Sequence, residues 1–266
     1  MKKALIIIFI ISFIITVVCG IGAVQKFKEE YKKANQITTN FNEIYNDSKI
    51  KSADIKFKNS NLTIKKGDKF KVTSKGSNDK IKIDAKIKGN KLILNDYKGT
   101  SNINISFLNL RYNDVVVTVP KKLKNLDVSS DNGHINIQHI EADEAQLFSD
   151  IGNLKLNHSK FNNIIATGDT AAIDLKHTMF NRGEFKTDTG DVYIKQVPAD
   201  KPIQVRTDTG DVELEYGQSE PKNSQIDFIG DSGELDIEHK RFKGKKVGHG
   251  DNHITIETDT GDATIK

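Results

Sequence analysis

One short turn recurs seven times in the second half of this 266-residue chain, and its spacing restricts the folds open to it. It is plainest at Thr187-Asp188-Thr189-Gly190-Asp191, Thr207-Asp208-Thr209-Gly210-Asp211 and Thr258-Asp259-Thr260-Gly261-Asp262. Aligned on the glycine position, the series is Gly133, Gly152, Ala171, Gly190, Gly210, Gly233 and Gly261, with spacings of 19, 19, 19, 20, 23 and 28 residues. Two residues earlier stands Asp131, Asp150, Asp169, Asp188, Asp208, Asp231 or Asp259. Apolar or small residues fill the fifth position before the glycine (Val128, Leu147, Ala166, Phe185, Val205, Phe228, Ile256) and the second and fourth positions after it. Each unit reads strand, Asp-x-Gly turn, strand, because side chains two apart in a strand share a face.

A period near twenty residues marks a solenoid. No unit of that length buries its apolar positions alone, but coils stacked ~4.8 Å apart line them into a continuous core. The turn chemistry follows. Glycine supplies a positive φ at little cost, and Ala171 marks a coil with a different turn. The aspartate before it reads as structural, since its carboxylate can accept backbone N–H groups two residues on. The spacings of 23 and 28 place insertions at 217–224 and 240–251.

The preceding region has period two instead. Ile55-Lys56-Phe57, Leu62-Thr63-Ile64, Phe70-Lys71-Val72, Ile81-Lys82-Ile83, Leu92-Ile93-Leu94, Ile103-Asn104-Ile105 and Val115 to Val119 alternate around Lys66-Gly67-Asp68 and Lys88-Gly89-Asn90, and Pro120 ends the run. These are short strands with lysines outward, which blunt exposed edges. The expectation is an all-β chain: a right-handed parallel β-solenoid of about seven coils over 126–266, capped by an antiparallel Lys-rich β region at 50–125. A loosely helical pattern of Phe27, Tyr31, Ala34, Phe41, Ile44 and Tyr45 makes 25–49 a juxtamembrane helix and linker.

At the N-terminus, Lys2 and Lys3 precede an uncharged stretch from Ala4 to Val24. At ~1.5 Å per residue it reaches across a ~30 Å hydrocarbon core. It exceeds the ~7–15 apolar residues of a signal peptide, so 1–24 reads as one uncleaved transmembrane anchor with its lysines in the cytoplasm. Cleavage near Gly20 and Gly22 and lipid modification of Cys19 are the competing readings, although a branched Val18 precedes that cysteine. All three place the bulk of the chain outside the cell membrane.

Charge divides as the periods do. Residues 1–125 carry 25 Lys and Arg against 10 Asp and Glu, a net +15; residues 126–266 carry 15 against 26, a net −11. A basic half beside a membrane segment suits an anionic lipid surface, against the plainer reading of a Lys-rich solvated β surface. The loop of Lys240, Arg241, Lys243, Lys245 and Lys246 is a basic exception in the acidic half, a candidate contact for an anionic partner against the plainer reading of a solvated loop.

Several motifs imitate catalytic sites. Asp-Thr-Gly at 188–190, 208–210 and 259–261 is the triplet of aspartic proteases, but it falls in register with coils that read Asp-Asn-Gly, Asp-Ile-Gly and Asp-Ser-Gly. Gly230-Asp231-Ser232-Gly233 copies a serine-protease context without its continuation or a His–Asp pair. The columns Asp188, Asp208, Asp259 and Asp191, Asp211, Asp262 are a candidate Ca²⁺ set, since like charges ~4.8 Å apart in water repel by roughly 0.9 kcal/mol; the nine-residue period of calcium-binding repeats is absent. The seven histidines read as scattered, without ligand spacing. With one cysteine, no tryptophan and no phosphate loop or nucleic-acid motif, the chain reads as having no cofactor and no nucleic-acid partner.

The lysine-flanked apolar segment, the Lys-rich strands and the Thr-Asp-Thr-Gly-Asp-Val-x-Ile type coils, as at Thr187 to Ile194, resemble the putative-adhesin domain family of bacterial envelope proteins. That family includes the LiaG-like proteins found beside envelope-stress systems in Gram-positive bacteria. The resemblance covers about residues 50–266. It implies an extracytoplasmic, membrane-tethered location and carries over no catalytic residue. The leading expectation is a non-enzymatic binding or scaffold module at the cell envelope, with wall polymer, anionic lipid or another envelope protein as partner. An accessory or sensor subunit of a membrane signalling or transport system is the second reading, and an enzyme on wall glycans the third.

Overall fold

The computed structural model describes residues 2–45, 49–77, 81–96, 113–218 and 220–266; the strand expected at Ile103 to Ile105 lies outside them. Helix α1 (Lys2–Ala34) is followed by β1 (Thr38–Tyr45), β2 (Ser52–Phe57), β3 (Asn61–Lys66), β4 (Phe70–Gly76), β5 (Asp84–Lys88), β6 (Lys91–Asn95) and β7 (Asn113–Val119). The repeats then supply strands in pairs: β8 (Leu123–Asn132) and β9 (Ile135–Gln138), β10 (Glu141–Ile151) and β11 (Leu154–Asn157), β12 (Lys160–Thr170) and β13 (Ile173–Lys176), β14 (Met179–Thr189) and β15 (Val192–Lys195). They continue with β16 (Ile203–Thr209) and β17 (Val212–Glu215), β18 (Ser224–Ser232) and β19 (Leu235–Ile237), a short β20 (Lys246–Val247), and β21 (Asn252–Thr260) and β22 (Ala263–Ile265).

The first strand of each pair joins one sheet and the second joins another. Sheet one runs β1-β4-β7-β3-β9-β11-β13-β15-β17-β22-β19, and sheet two β20-β18-β21-β16-β14-β12-β10-β8-β2-β6-β5. All contacts between coils are parallel and in register, as in Leu156↔Leu175↔Ile194↔Leu214. The apolar positions predicted from the repeat point inward and are buried, except Phe228, Leu235 and Ile237, which are only partly covered, and the two sheets share one core from Ile50 to Ile265. Each such aliphatic contributes roughly 1.5–3 kcal/mol by leaving water. At ~4.8 Å per strand, eleven strands extend ~48 Å along the stack.

Three features depart from the sequence reading. First, β2 and β3 already form a coil, paired in parallel with β8 and β9 through Ile55↔Val128 and Ile64↔Ile137. The antiparallel cap pairs are β1 with β4, β4 with β7, and β5 with β6. Around Gly67 the chain does not turn back beside itself, because β7 lies between β3 and β4. This first coil lacks Asp-x-Gly; Asp96 instead accepts the N–H groups of Lys58 and Asn59 and the Ser60 hydroxyl, at 2.6, 3.2 and 2.9 Å.

Second, the segment read as helix and linker over 25–49 is helical only to Ala34, and β1 then lies antiparallel on β4. Phe41 and Tyr45, four residues apart, pack against the core from a strand. A spacing of four places residues on one face of either element, so periodicity did not separate the two. Third, the coils do not stack in sequence order. The last, β21–β22, sits between β16–β17 and β18–β19.

Candidate functional site

Three columns build the turns at Gly190, Gly210 and Gly261. The glycines stand so close that a Cβ on Gly210 would lie 2.1 Å from the Gly190 carbonyl oxygen, at a φ of +153° that already disfavours other residues. Gly133, Gly152, Gly190, Gly261 and Gly233 occupy the same column, each against the backbone of its neighbouring coil. Three residues before the glycine, buried hydroxyls donate to carbonyls one coil away: Thr187 to Ala171 at 2.8 Å, Thr207 to Gly190 at 3.1 Å and Thr258 to Gly210 at 3.3 Å. Where Ala171 replaces glycine, Gly168 replaces the hydroxyl residue; a Cβ there would meet the Ala171 methyl at 2.7 Å.

The carboxylates that bind backbone are the ones after the glycine. Asp191 accepts the Asp211 N–H at 2.9 Å, Asp211 that of Asp262 at 2.9 Å, and Asp262 that of Glu234 at 3.0 Å. Tyr193 donates to Asp191 at 2.9 Å, and this bond pushes its phenol up to about 12. The aspartates before the glycine behave otherwise. Among the described residues, none of Asp131, Asp150, Asp169, Asp188, Asp208, Asp231 and Asp259 accepts a backbone N–H. They end the outward-facing rows of sheet two, where Asp188 pairs with Lys186 at 3.5 Å and Asp208 with Arg206 at 3.6 Å. The turn-holding role therefore moves three residues along the repeat. Neither carboxylate column gathers into a cation site: among the described residues no group of three His, Cys, Asp or Glu could hold a metal ion. The Asp-Thr-Gly triplets lie one coil apart in a row, not face to face.

Outward positions of sheet two form continuous rows across the coils. One runs Lys56, Ser129, Phe148, Thr167, Lys186, Arg206, Glu257, Ile229; its neighbour runs Asp54, Asp127, Gln146, Ile165, Glu184, Gln204, Thr255, Asp227. Phe148 and Ile165, 37% and 38% exposed, sit diagonally on adjacent strands. They line an open cleft of about 460 Å³ together with Asp54, Lys56, Asp127, Ser129, Gln146 and Thr167. Lys91 bridges Asp54 and Asp127 at 3.9 and 3.5 Å. Asp131, Asp150 and Asp169 continue the same strands beyond Ser129, Phe148 and Thr167, and form no ion pair with any described residue. The sequence held a signal for this cleft: Phe148 is the one aromatic in its row.

The basic loop lies at the opposite end of the stack from α1. Lys240–Phe242 is a single 3₁₀ turn whose Phe242 ring is buried 5.5 Å from Tyr216 and 5.6 Å from His239. Lys246 and Val247 then cover the edge of β18 at Gln225 and Ser224. Arg241 pairs with Glu220 at 2.5 Å, while Lys240, Lys243, Lys245 and Lys246 are exposed. Three of the histidines form a fourth column. His139, His158 and His177, at φ of 54°, 49° and 49°, stack with ring centroids 5.0 and 4.5 Å apart. Their 19-residue spacing equals the repeat period, which was the overlooked signal.

A family model described as Toastrack DUF4097 matches residues 50–169 and, overlapping them, 122–266. No curated protein matches the chain. Among solved structures, a putative adhesin from Bacteroides fragilis is 13% identical, with 88% of this chain and 99% of that chain covered and a TM-score of 0.53. A putative lipid binding protein from Parabacteroides distasonis is 11% identical over 85% and 96% of the two chains, with a TM-score of 0.46. A putative cell adhesion protein from Clostridium sporogenes is 11% identical over 87% and 99%, with a TM-score of 0.38. At these identities the likeness is one of fold.

Proposed function

This chain belongs to the Toastrack DUF4097 family, and from that premise we propose that it is a membrane-tethered, extracytoplasmic, adhesin-like binding module of the cell envelope, non-enzymatic and working beside an envelope-stress system. The observation that carries the reading is the open cleft at Phe148, set on strands paired on both sides and therefore held rigidly. Helix α1 contains a segment, Ile6–Ala34, long and apolar enough to cross a membrane or serve as a signal sequence. Only three residues separate it from β1, the edge strand of sheet one. Used as an anchor, it holds the basic end of the stack at anionic lipid and directs the acidic coils outward. The loop of Lys240, Arg241, Lys243, Lys245 and Lys246 then meets an anionic partner at the far end.

The short junction favours one second reading, an accessory or sensor subunit. Asn35 and Gln36 donate backbone bonds to Tyr31 and Lys33, so little slack separates helix from sheet. The test is cosedimentation of the full chain, in detergent, with purified bacterial wall sacculi. Saturable binding supports the module; absence of binding at micromolar protein sinks it. Protease accessibility of the coils in whole cells checks their side of the membrane.

A further inference from the structure

The binding-module reading leaves the ligand open, and the inference that follows rests on that reading. We propose that the cleft around Phe148 binds an amino-sugar glycan, an extended chain of sugars bearing free amines, laid across the coils along the stacking direction.

The tile formed by Phe148 and Ile165 faces outward and is flanked in its two rows by Ser129, Gln146, Thr167 and Glu184. Its size and flatness match the apolar C–H face of a pyranose ring, which stacks on an aromatic side chain while the hydroxyls point sideways. Ser129, Gln146 and Thr167 stand around the tile with both donors and acceptors for those hydroxyls.

Charge selects among sugars. Along one side of the tile run Asp131, Asp150 and Asp169, none ion-paired to a described residue, whereas further along the same row Lys186 and Arg206 neutralise Asp188 and Asp208. On the other side the carboxylates are matched: Asp54 pairs with Lys56 at 3.8 Å and shares Lys91 with Asp127. The carboxylates without a described cationic partner are thus the ones two residues beyond Ser129, Phe148 and Thr167 on the same strands. A phosphate or uronate chain is repelled there, and an ammonium group is attracted by the carboxylates and by the ring face.

Register selects a polymer. Successive carboxylates of the row are one coil apart, ~4.8 Å, close to the rise per sugar of an extended β-1,4-linked chain. Neighbouring sugars of such a chain are turned over relative to one another, so the amines alternate sides: every second one faces the row of Asp131, Asp150 and Asp169, those between face Asp54 and Asp127, and a single sugar gains only one of these contacts. A cationic peptide has no comparable foothold. Strand addition needs a free sheet edge, and β10, which carries Phe148, is paired on one side by β8 and on the other by β12.

The chain contains no tryptophan, so Phe148→Trp places its sole indole in the cleft. The full-length variant in detergent is titrated with β-1,4-linked glucosamine tetramer, its N-acetylated counterpart and spermine. The expected result is a saturable emission change with glucosamine tetramer. It is about tenfold tighter than with the acetylated tetramer and weakens as salt is raised. Asp150→Asn with Asp169→Asn removes that preference while the thermal midpoint holds. Equal response to spermine, or none to any tetramer while circular dichroism is unchanged, overturns the proposal. Calorimetry of wild type against Phe148→Ala repeats the measurement without the indole, and unchanged affinity also overturns it. Wild-type chain that binds sacculi while Phe148→Ala binds equally well refutes only the cleft; wild-type chain that does not bind refutes the module itself.

Discussion

Gly210 occupies a place where two constraints coincide, a positive φ and a carbonyl oxygen 2.1 Å from any added Cβ. Gly210→Ala therefore forces two coils apart and is expected to cost at least about 2 kcal/mol, read as a lowered thermal midpoint. Ala171→Gly removes a methyl that Gly168 makes room for, and its cost is that of a small cavity. A second residue acts through protons. Burial alone raises the Asp200 carboxyl, but hydrogen bonds from the N–H groups of Asn223 and Lys222 and from the Ser224 hydroxyl overrule it and hold the group below its ordinary range. A depressed folded value means that the contribution is complete above the unfolded value and is lost as pH falls through the folded one. Melting curves of wild type and Asp200→Asn should differ at neutral pH and converge in acid; a constant gap across that range would refute the linkage. The repeat made the aspartate before each glycine conspicuous, yet Asp191, Asp211 and Asp262 bind the backbone. Spacing marks which positions recur, but not which oxygen meets which N–H.

At the scale of elements, the strand pairs of the seven repeats were legible because period two is strict where one face is buried. The first coil was not, because its turn is closed from a distance. Asp96 is buried, and its three bonds at Lys58, Asn59 and Ser60 do the work that glycine does elsewhere. Asp96→Ala leaves two backbone N–H groups without their acceptor and should cost about 1–3 kcal/mol. Hydrogen exchange locates the effect: faster exchange at residues 58–60 is expected, and uniform acceleration over the whole stack would show that the turn is not a local device. The cleft was hidden for a related reason. Its rows are assembled across coils, so Phe148 and Ile165, seventeen residues apart, become neighbours only once the stack fixes their register. Strand β1 escaped recognition because four-residue spacing serves helix and strand alike.

For the whole molecule, the decisive feature is the order of the last two coils. In a sequential solenoid each coil touches only its neighbours, and removing the last one trims an end. Here β21–β22 bridges β16–β17 and β18–β19, with Thr258 donating to the Gly210 carbonyl and Asp262 linking Asp211 to Glu234. A chain ending at Asp251 therefore loses a coil from inside the stack. The coil of residues 224–237 could close the gap only poorly, since Gly230 stands where Thr258 supplies its hydroxyl. Its apolar residues Phe228, Leu235 and Ile237 are only partly buried even in the intact protein. The truncated chain should thus show lost exchange protection at 224–237 as well as a lower midpoint, while residues 123–195 stay protected. Adding a synthetic peptide of residues 251–266 should restore protection at 224–237 in a saturable manner. Full protection of that coil in the truncated chain, before any peptide is added, would mean that it stacks directly on β16–β17 and that the inserted coil is dispensable.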